Sequence, residues 1–136
     1  MDNISEHITF LEATASPTAL RNGINNEPPT DILDNMKVVA DKVFEPLRKW
    51  YGKPIKVNSF YRSPELNKKV GGSTTSQHVK GMAIDLSAGT KSENKRLFDY
   101  IKANLIFDQL IWEYGGVWVH VSYNKEKNRK QVLNIG

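Results

Sequence analysis

Between Ile32 and Leu47 the apolar positions Ile32, Met36, Val39, Ala40, Val43 and Leu47 recur at three- and four-residue spacing. That period predicts an amphipathic helix capped at Thr30 or Asp31 and running to about Trp50. Pro46 falls inside the run and predicts a kink or break near its C-terminal end. Gly52-Lys53-Pro54 then turns the chain, and Ile55 to Arg62 alternates as a strand does. The pair Gly71-Gly72 opens a polar loop, which leads into a short strand over Met82–Ser87. Residues 91–104 return to the helical period with Leu97, Phe98 and Ile101 inward. Leu110–Tyr114 and Val117–Tyr123 flank Gly115-Gly116 as a hairpin, and Gln131–Ile135 reads as a last strand. The first thirty residues carry mostly turn signals: Ser16-Pro17, Asn22-Gly23 and Asn25 to Pro29. The predicted class is α+β, helices packed on a small, mainly antiparallel sheet.

The hairpin also predicts a register. A two-residue Gly-Gly loop pairs Tyr114 with Val117, Glu113 with Trp118, Trp112 with Val119 and Ile111 with His120. Alternation then puts Trp112, Tyr114, Val117, Val119 and Val121 on the core face. Glu113, Trp118, His120 and Ser122 share the other face. Glu113 and His120 become diagonal neighbours about 7–8 Å apart at the backbone. That separation excludes a direct bond between their side chains and suits a carboxylate reaching a water held on a metal.

Composition narrows the function classes. A chain of 136 residues, 39% hydrophobic and 25% charged, is expected to be one domain over 1–136. No apolar run approaches the ~20 residues of a membrane span, so no membrane insertion is expected. The start, MDNISEHITF, is polar and acidic where a secretory signal is basic and then apolar. The absence of cysteine excludes disulfide scaffolds, thiolate metal sites and cysteine nucleophiles. Of the net charge of +4, a surplus of three lies in Lys125, Lys127, Arg129 and Lys130 against Glu126. Read as composition alone, this stretch is a solvated face.

Three histidines are present. His7 stands in a polar segment without a partner nearby in sequence and reads as surface. His78 and Asp85 are seven residues apart, roughly 23 Å along a straight strand and roughly 10 Å along a helix. For both to hold one ion the chain must bend between them, and Gly81 supplies the place. Alternation over Met82–Ser87 sends Met82, Ile84 and Leu86 one way and Ala83, Asp85 and Ser87 the other. An aspartate among buried residues needs a metal, an arginine or backbone amides as partner. Two histidines and one carboxylate with a fourth position open form the donor set of a catalytic zinc site. A second, non-ligand carboxylate can then carry the proton. Arg62, in Ser59-Phe60-Tyr61-Arg62-Ser63, offers a cation for a carboxylate or a developing oxyanion.

The run His78-x-x-Gly81-x-Ala83-x-Asp85, preceded by Ser76 and followed by Glu113 and Trp118-x-His120, resembles the zinc D-Ala-D-Ala carboxypeptidases. That family includes D,D-dipeptidases and phage L-alanyl-D-glutamate endolysins and shares its fold with the hedgehog signalling domain. Ser16-Pro17-Thr18-Ala19, Phe44 to Arg48, Tyr61-Arg62-Ser63 and Asp108-Gln109-Leu110 look like signatures of its short phage and bacterial branch. The resemblance implies a hedgehog-like α+β fold with one zinc per chain held by His78, Asp85 and His120. It implies Glu113 as catalytic base and acid, Arg62 as a catalytic and substrate-binding cation, and Ser76 and Trp118 as substrate contacts. Ser122 stands where some members carry a histidine, which leaves the scissile bond open between D-Ala-D-Ala and a neighbour such as L-Ala-D-Glu.

The expected protein is a monomeric zinc peptidase of peptidoglycan stem peptides, made in the cytoplasm and acting on the wall after holin-type release from a phage or prophage. The rival is a zinc-containing module that only binds wall peptide or a protein partner. Glu113 speaks against it, since a binder needs no base. A nucleic-acid partner is not expected, because no aromatic and basic residues interleave as a stacking platform.

Overall fold

A computed structural model describes residues 3–136; the first two residues of the polar N-terminal segment lie outside that range. The elements are α1 (Phe10–Thr14), α2 (Pro17–Arg21), α3 (Thr30–Val39), α4 (Glu45–Tyr51), β1 (Lys56–Ser59), α5 (Pro64–Lys69), β2 (Ala83–Ser87), α6 (Lys91–Asn104), β3 (Gln109–Glu113), β4 (Trp118–Ser122) and β5 (Gln131–Ile135). The strands make one sheet in the order β1-β2-β4-β3-β5. Every neighbouring pair is antiparallel except β3 with β5, which is parallel.

The long predicted helix is α3 and α4 joined by a π-helical turn over Ala40–Phe44. The disturbance falls just before Pro46, as the missing N–H requires. Glu45 bonds back five residues to the Ala40 carbonyl, and the widened turn accommodates the proline ring near the start of α4. Neither Thr30 nor Asp31 caps this helix; Pro29 is the N-cap residue, without a side-chain bond. Met36, Val39, Val43 and Leu47 pack with Leu97 and Ile101 of α6 on one sheet face, against Ile84, Leu86, Val119 and Val121. All ten are 0% exposed, which makes this face the hydrophobic core.

The N-terminal thirty residues are more than turns. Thr9 and Glu12 form a capping box for α1, and the Ser16 hydroxyl caps α2. Ile4 and Ile8 are buried in the core. His7 is on the surface as expected, but its Nδ1 lies 2.6 Å from Glu45 Oε1, across 38 positions. The strand expected over Ile55–Arg62 stops at Ser59, after a bulge between Val57 and Ser59. Phe60 to Arg62 thereby leave the sheet and pass beside the loop that bears His78.

The hairpin keeps the predicted pairs Glu113↔Trp118, Trp112↔Val119 and Ile111↔His120. Its loop, however, has four residues, Tyr114–Val117, with φ of 49°, 68° and 95° at Tyr114, Gly115 and Gly116. Tyr114 and Val117 are therefore not a core pair: they are 55% and 61% exposed at the tip. The face opposite the core carries two instructive rows across the strands. One runs Asp85, His120, Ile111, Leu133; the next holds Trp118, Glu113 and Ile135.

Candidate active site

Gly81 makes the bend between His78 and Asp85. Its φ is +69°, and a Cβ there would sit 2.7 Å from the Ile32 carbonyl oxygen and 2.8 Å from Met36 Cγ. A left-handed backbone and the close passage against α3 both demand glycine. Gly81→Ala is expected to lose about 3 kcal/mol of stability, combining left-handed strain with overpacking. Urea unfolding checks this, and a midpoint within error of wild type would show that the turn yields freely.

The bend brings the two residues together with His120. His78 Nε2 is 3.2 Å from Asp85 Oδ2, and His120 Nδ1 is 3.0 Å from Asp85 Oδ1. One donor atom from each residue lies within 4.8 Å of the others. The two rings meet edge to face, with centroids 5.2 Å apart. His78 is 2% exposed, and its Nδ1 donates to the Phe60 carbonyl at 2.7 Å. That bond fixes the tautomer and turns the Nε2 lone pair inward. Nε2 is buried without a hydrogen bond, since Asp85 is close but out of line. A buried acceptor left open beside a carboxylate and a second imidazole is what a metal-ligand set looks like without its ion, and the donors fit zinc. Burial alone would raise the Asp85 pKa. The neighbouring imidazoles of His78 and His120, with the His120 hydrogen bond, outweigh it and hold the carboxyl well below the usual range, ready to ligate as an anion.

Glu113 and His120 come closer than backbone spacing suggests. Their side chains lean together until Glu113 Oε2 is 3.9 Å from His120 Nδ1. The same oxygen accepts the Trp118 indole N–H at 2.9 Å, while Oε1 has no hydrogen-bond partner among the described residues. Trp118 thus orients the candidate base as well as lining the cleft. Arg62 is half-buried, and its Nε is buried without a partner. Burial lowers the guanidinium pKa, opposed by the nearby carboxylates of Asp85 and Glu113. It remains a cation at neutral pH and lines the same cleft as the two carboxylates. Ser76 is on the cleft wall, where its hydroxyl accepts the His78 N–H at 3.2 Å.

These residues line one open cleft of about 1000 Å³. The strand registers give it direction, with Tyr114, Trp118 and Ile135 at the hairpin end and Gln77, Lys80, Lys127 and Arg129 toward the opposite end. The basic stretch is therefore only partly a free solvated face. Arg129 Nη2 pairs with Asp108 Oδ2 at 2.8 Å, and Asp108 also accepts from Gln77 beside His78. Sequence reasoning did not find this pairing, nor Phe60 as the partner of His78. The only signal was Asp108 in the Asp108-Gln109-Leu110 motif.

The Peptidase M15 family model matches residues 6–122. The chain belongs to that family, the peptidases like zinc D-Ala-D-Ala carboxypeptidases, characteristically metal-dependent. No curated protein matches the chain at a significant level.

Proposed function

We propose that the chain is a zinc-dependent peptidase of peptidoglycan stem peptides, cutting D-Ala-D-Ala or a neighbouring bond of the L-Ala-D-Glu type, in the setting of phage or prophage lysis. It acts as a monomer with one zinc, held by His78, Asp85 and His120. The observation that carries the reading is the buried three-residue donor set with its open Nε2, beside a carboxylate that is not part of it.

When bound, zinc supplies Lewis acidity, polarising a carbonyl and making a water acidic near neutral pH. The protein's residues do the rest. Glu113, with Oε2 held by Trp118, takes the water's proton on Oε1 and returns it to the leaving amine. Arg62 faces the developing negative charge or a substrate carboxylate with a guanidinium not yet saturated. Ser76 and Trp118 border the bound peptide. Arg62→Ala is expected to fold normally, because the main-chain bond from Arg62 N–H to the His78 carbonyl survives the change. Turnover should fall about 10²-fold with zinc content unchanged. Steady-state kinetics on wall fragments checks this, and unchanged rates would remove Arg62 from the mechanism.

The direct test is digestion of purified peptidoglycan, with the released fragments identified by mass. New N-termini at one stem-peptide bond, abolished by a chelator and restored by zinc, are expected. An intact wall after incubation with the zinc-loaded protein would overturn the reading in favour of a binding module.

A further inference from the structure

Asp108 is only 3% exposed, yet it accepts four hydrogen bonds. Arg129 gives Oδ1 its backbone N–H and its Nε–H, both at 2.9 Å, and gives Oδ2 its Nη2 at 2.8 Å. Gln77 Nε2 completes the set at 2.8 Å from Oδ2. A carboxylate only accepts, so the Gln77 amide must present its nitrogen here, and no flipped amide satisfies the contact. Gln77 also holds the turn that bears His78, because its main-chain carbonyl accepts the N–H groups of Lys80 at 3.2 Å and Met82 at 2.9 Å. Asp108 is itself pinned to the sheet, donating its N–H to the Ser122 carbonyl and accepting from Gln131 N–H. The links run without a gap from Arg129 through Asp108 and Gln77 to the turn that presents His78. Arg129 lies beyond residue 122, where the family match ends.

We propose that Arg129 is a positioning residue for the metal site: through Asp108 and Gln77 it fixes the turn that aims His78 Nε2 at the ion. The inference rests on the reading of His78 as a ligand. Only an arginine serves, since the planar fork bonds both carboxylate oxygens at once and leaves Oδ2 oriented for Gln77. Without the Arg129 guanidinium, Asp108 is a buried carboxylate left with only the main-chain N–H of residue 129 and the neutral Gln77 amide, so it turns toward water and releases Gln77. Partners that hold a ligand's orientation commonly change metal affinity by about 10–100-fold.

The experiment compares Arg129→Gln, Gln77→Ala and the double variant, with Lys125→Gln as a control that removes a nearby charge but no link. Amide hydrogen exchange of Lys80 and Met82 is measured in the zinc-free protein, and zinc affinity by competition with a chromophoric chelator. Both single variants should exchange about tenfold faster at these two amides, with the amides of α6 unchanged. Their zinc Kd should rise about 10–100-fold, and the double variant should be no worse than the weaker single, because both act through one path. Lys125→Gln should match wild type. Unchanged exchange at Lys80 and Met82, a uniform rise across the whole protein, or additive losses in the double variant would each overturn the assignment. The two failures read differently. A wild type that takes up no zinc overturns the ligand reading and the inference built on it, whereas normal zinc affinity in Arg129→Gln overturns the inference alone.

Discussion

Glu113→Gln is expected to retain the zinc of the wild-type protein and to lose about 10²–10⁴-fold in peptide hydrolysis, the usual worth of general acid–base help. The surroundings of Glu113 make this a clean substitution. The Trp118 indole N–H needs an acceptor, so the new amide turns its oxygen to Trp118 and its NH₂ to the position now held by the free Oε1. Shape and the indole bond are kept, and only the capacity to take a proton is lost. Glu113→Ala should fail as severely, but it also leaves the indole N–H unpaired, so its loss mixes chemistry with positioning. Neither change touches the core, because Glu113 lies on the face opposite Ile84, Val119 and Val121. Zinc content and hydrolysis are measured on the same samples. Full activity in the Gln variant would remove Glu113 from the mechanism, and loss of zinc in the Ala variant would make it a ligand.

Long-range pattern was legible and short-range capping was not. Lys91–Asn104 has the predicted bounds, and α3 to α4 covers the predicted span, because a buried stripe repeated over several turns overrides single-residue noise. Helices α1, α2 and α5 have only five or six residues, too few to show a period. Their signals were caps: Thr9 with Glu12, Ser16 before Pro17, Ser63 before Pro64. Three predicted strand pairs survived a wrong loop length, since burial of Trp112, Val119 and Val121 sets the register from within the sheet. Tyr114 and Val117 were misplaced because alternation was carried past the point where the strands stop pairing.

The site was legible to the extent that its chemistry resides in side-chain identity. His78, Asp85, His120 and Glu113 announce themselves by type and spacing, and the structure brings all four to one cleft. What holds them there did not show, because it runs through main-chain atoms and distant partners. The Phe60 carbonyl that orients His78 has no side-chain signature, and Arg129 sits 51 positions from His78 in a stretch whose composition reads as solvated. Glu113 and His120 were expected apart because backbone spacing ignores the lean of long side chains toward one another.

Replacing His78, Asp85 or His120 by Ala is expected to take zinc from about one per chain to near none, since three protein ligands with an open fourth position leave little redundancy. The loss should also be visible in stability. A metal bound only by the folded state stabilises it by RT ln(1 + [L]/Kd), about 4 kcal/mol when free zinc is a thousandfold above Kd. For a domain of this size that corresponds to roughly 10 °C or more in Tm. Wild type should therefore melt lower after a chelator is added, while each variant melts low already and ignores it. The three differ in what they leave behind. His120→Ala leaves Asp85 paired with the buried His78, and Asp85→Ala leaves the two imidazoles without the carboxylate they share. His78→Ala strips the Phe60 carbonyl of its partner and opens a space in the buried turn, so its zinc-free form should be the least stable. Metal analysis together with melting curves, with and without chelator, checks all of these. Zinc retained at the wild-type level in all three variants would end the assignment.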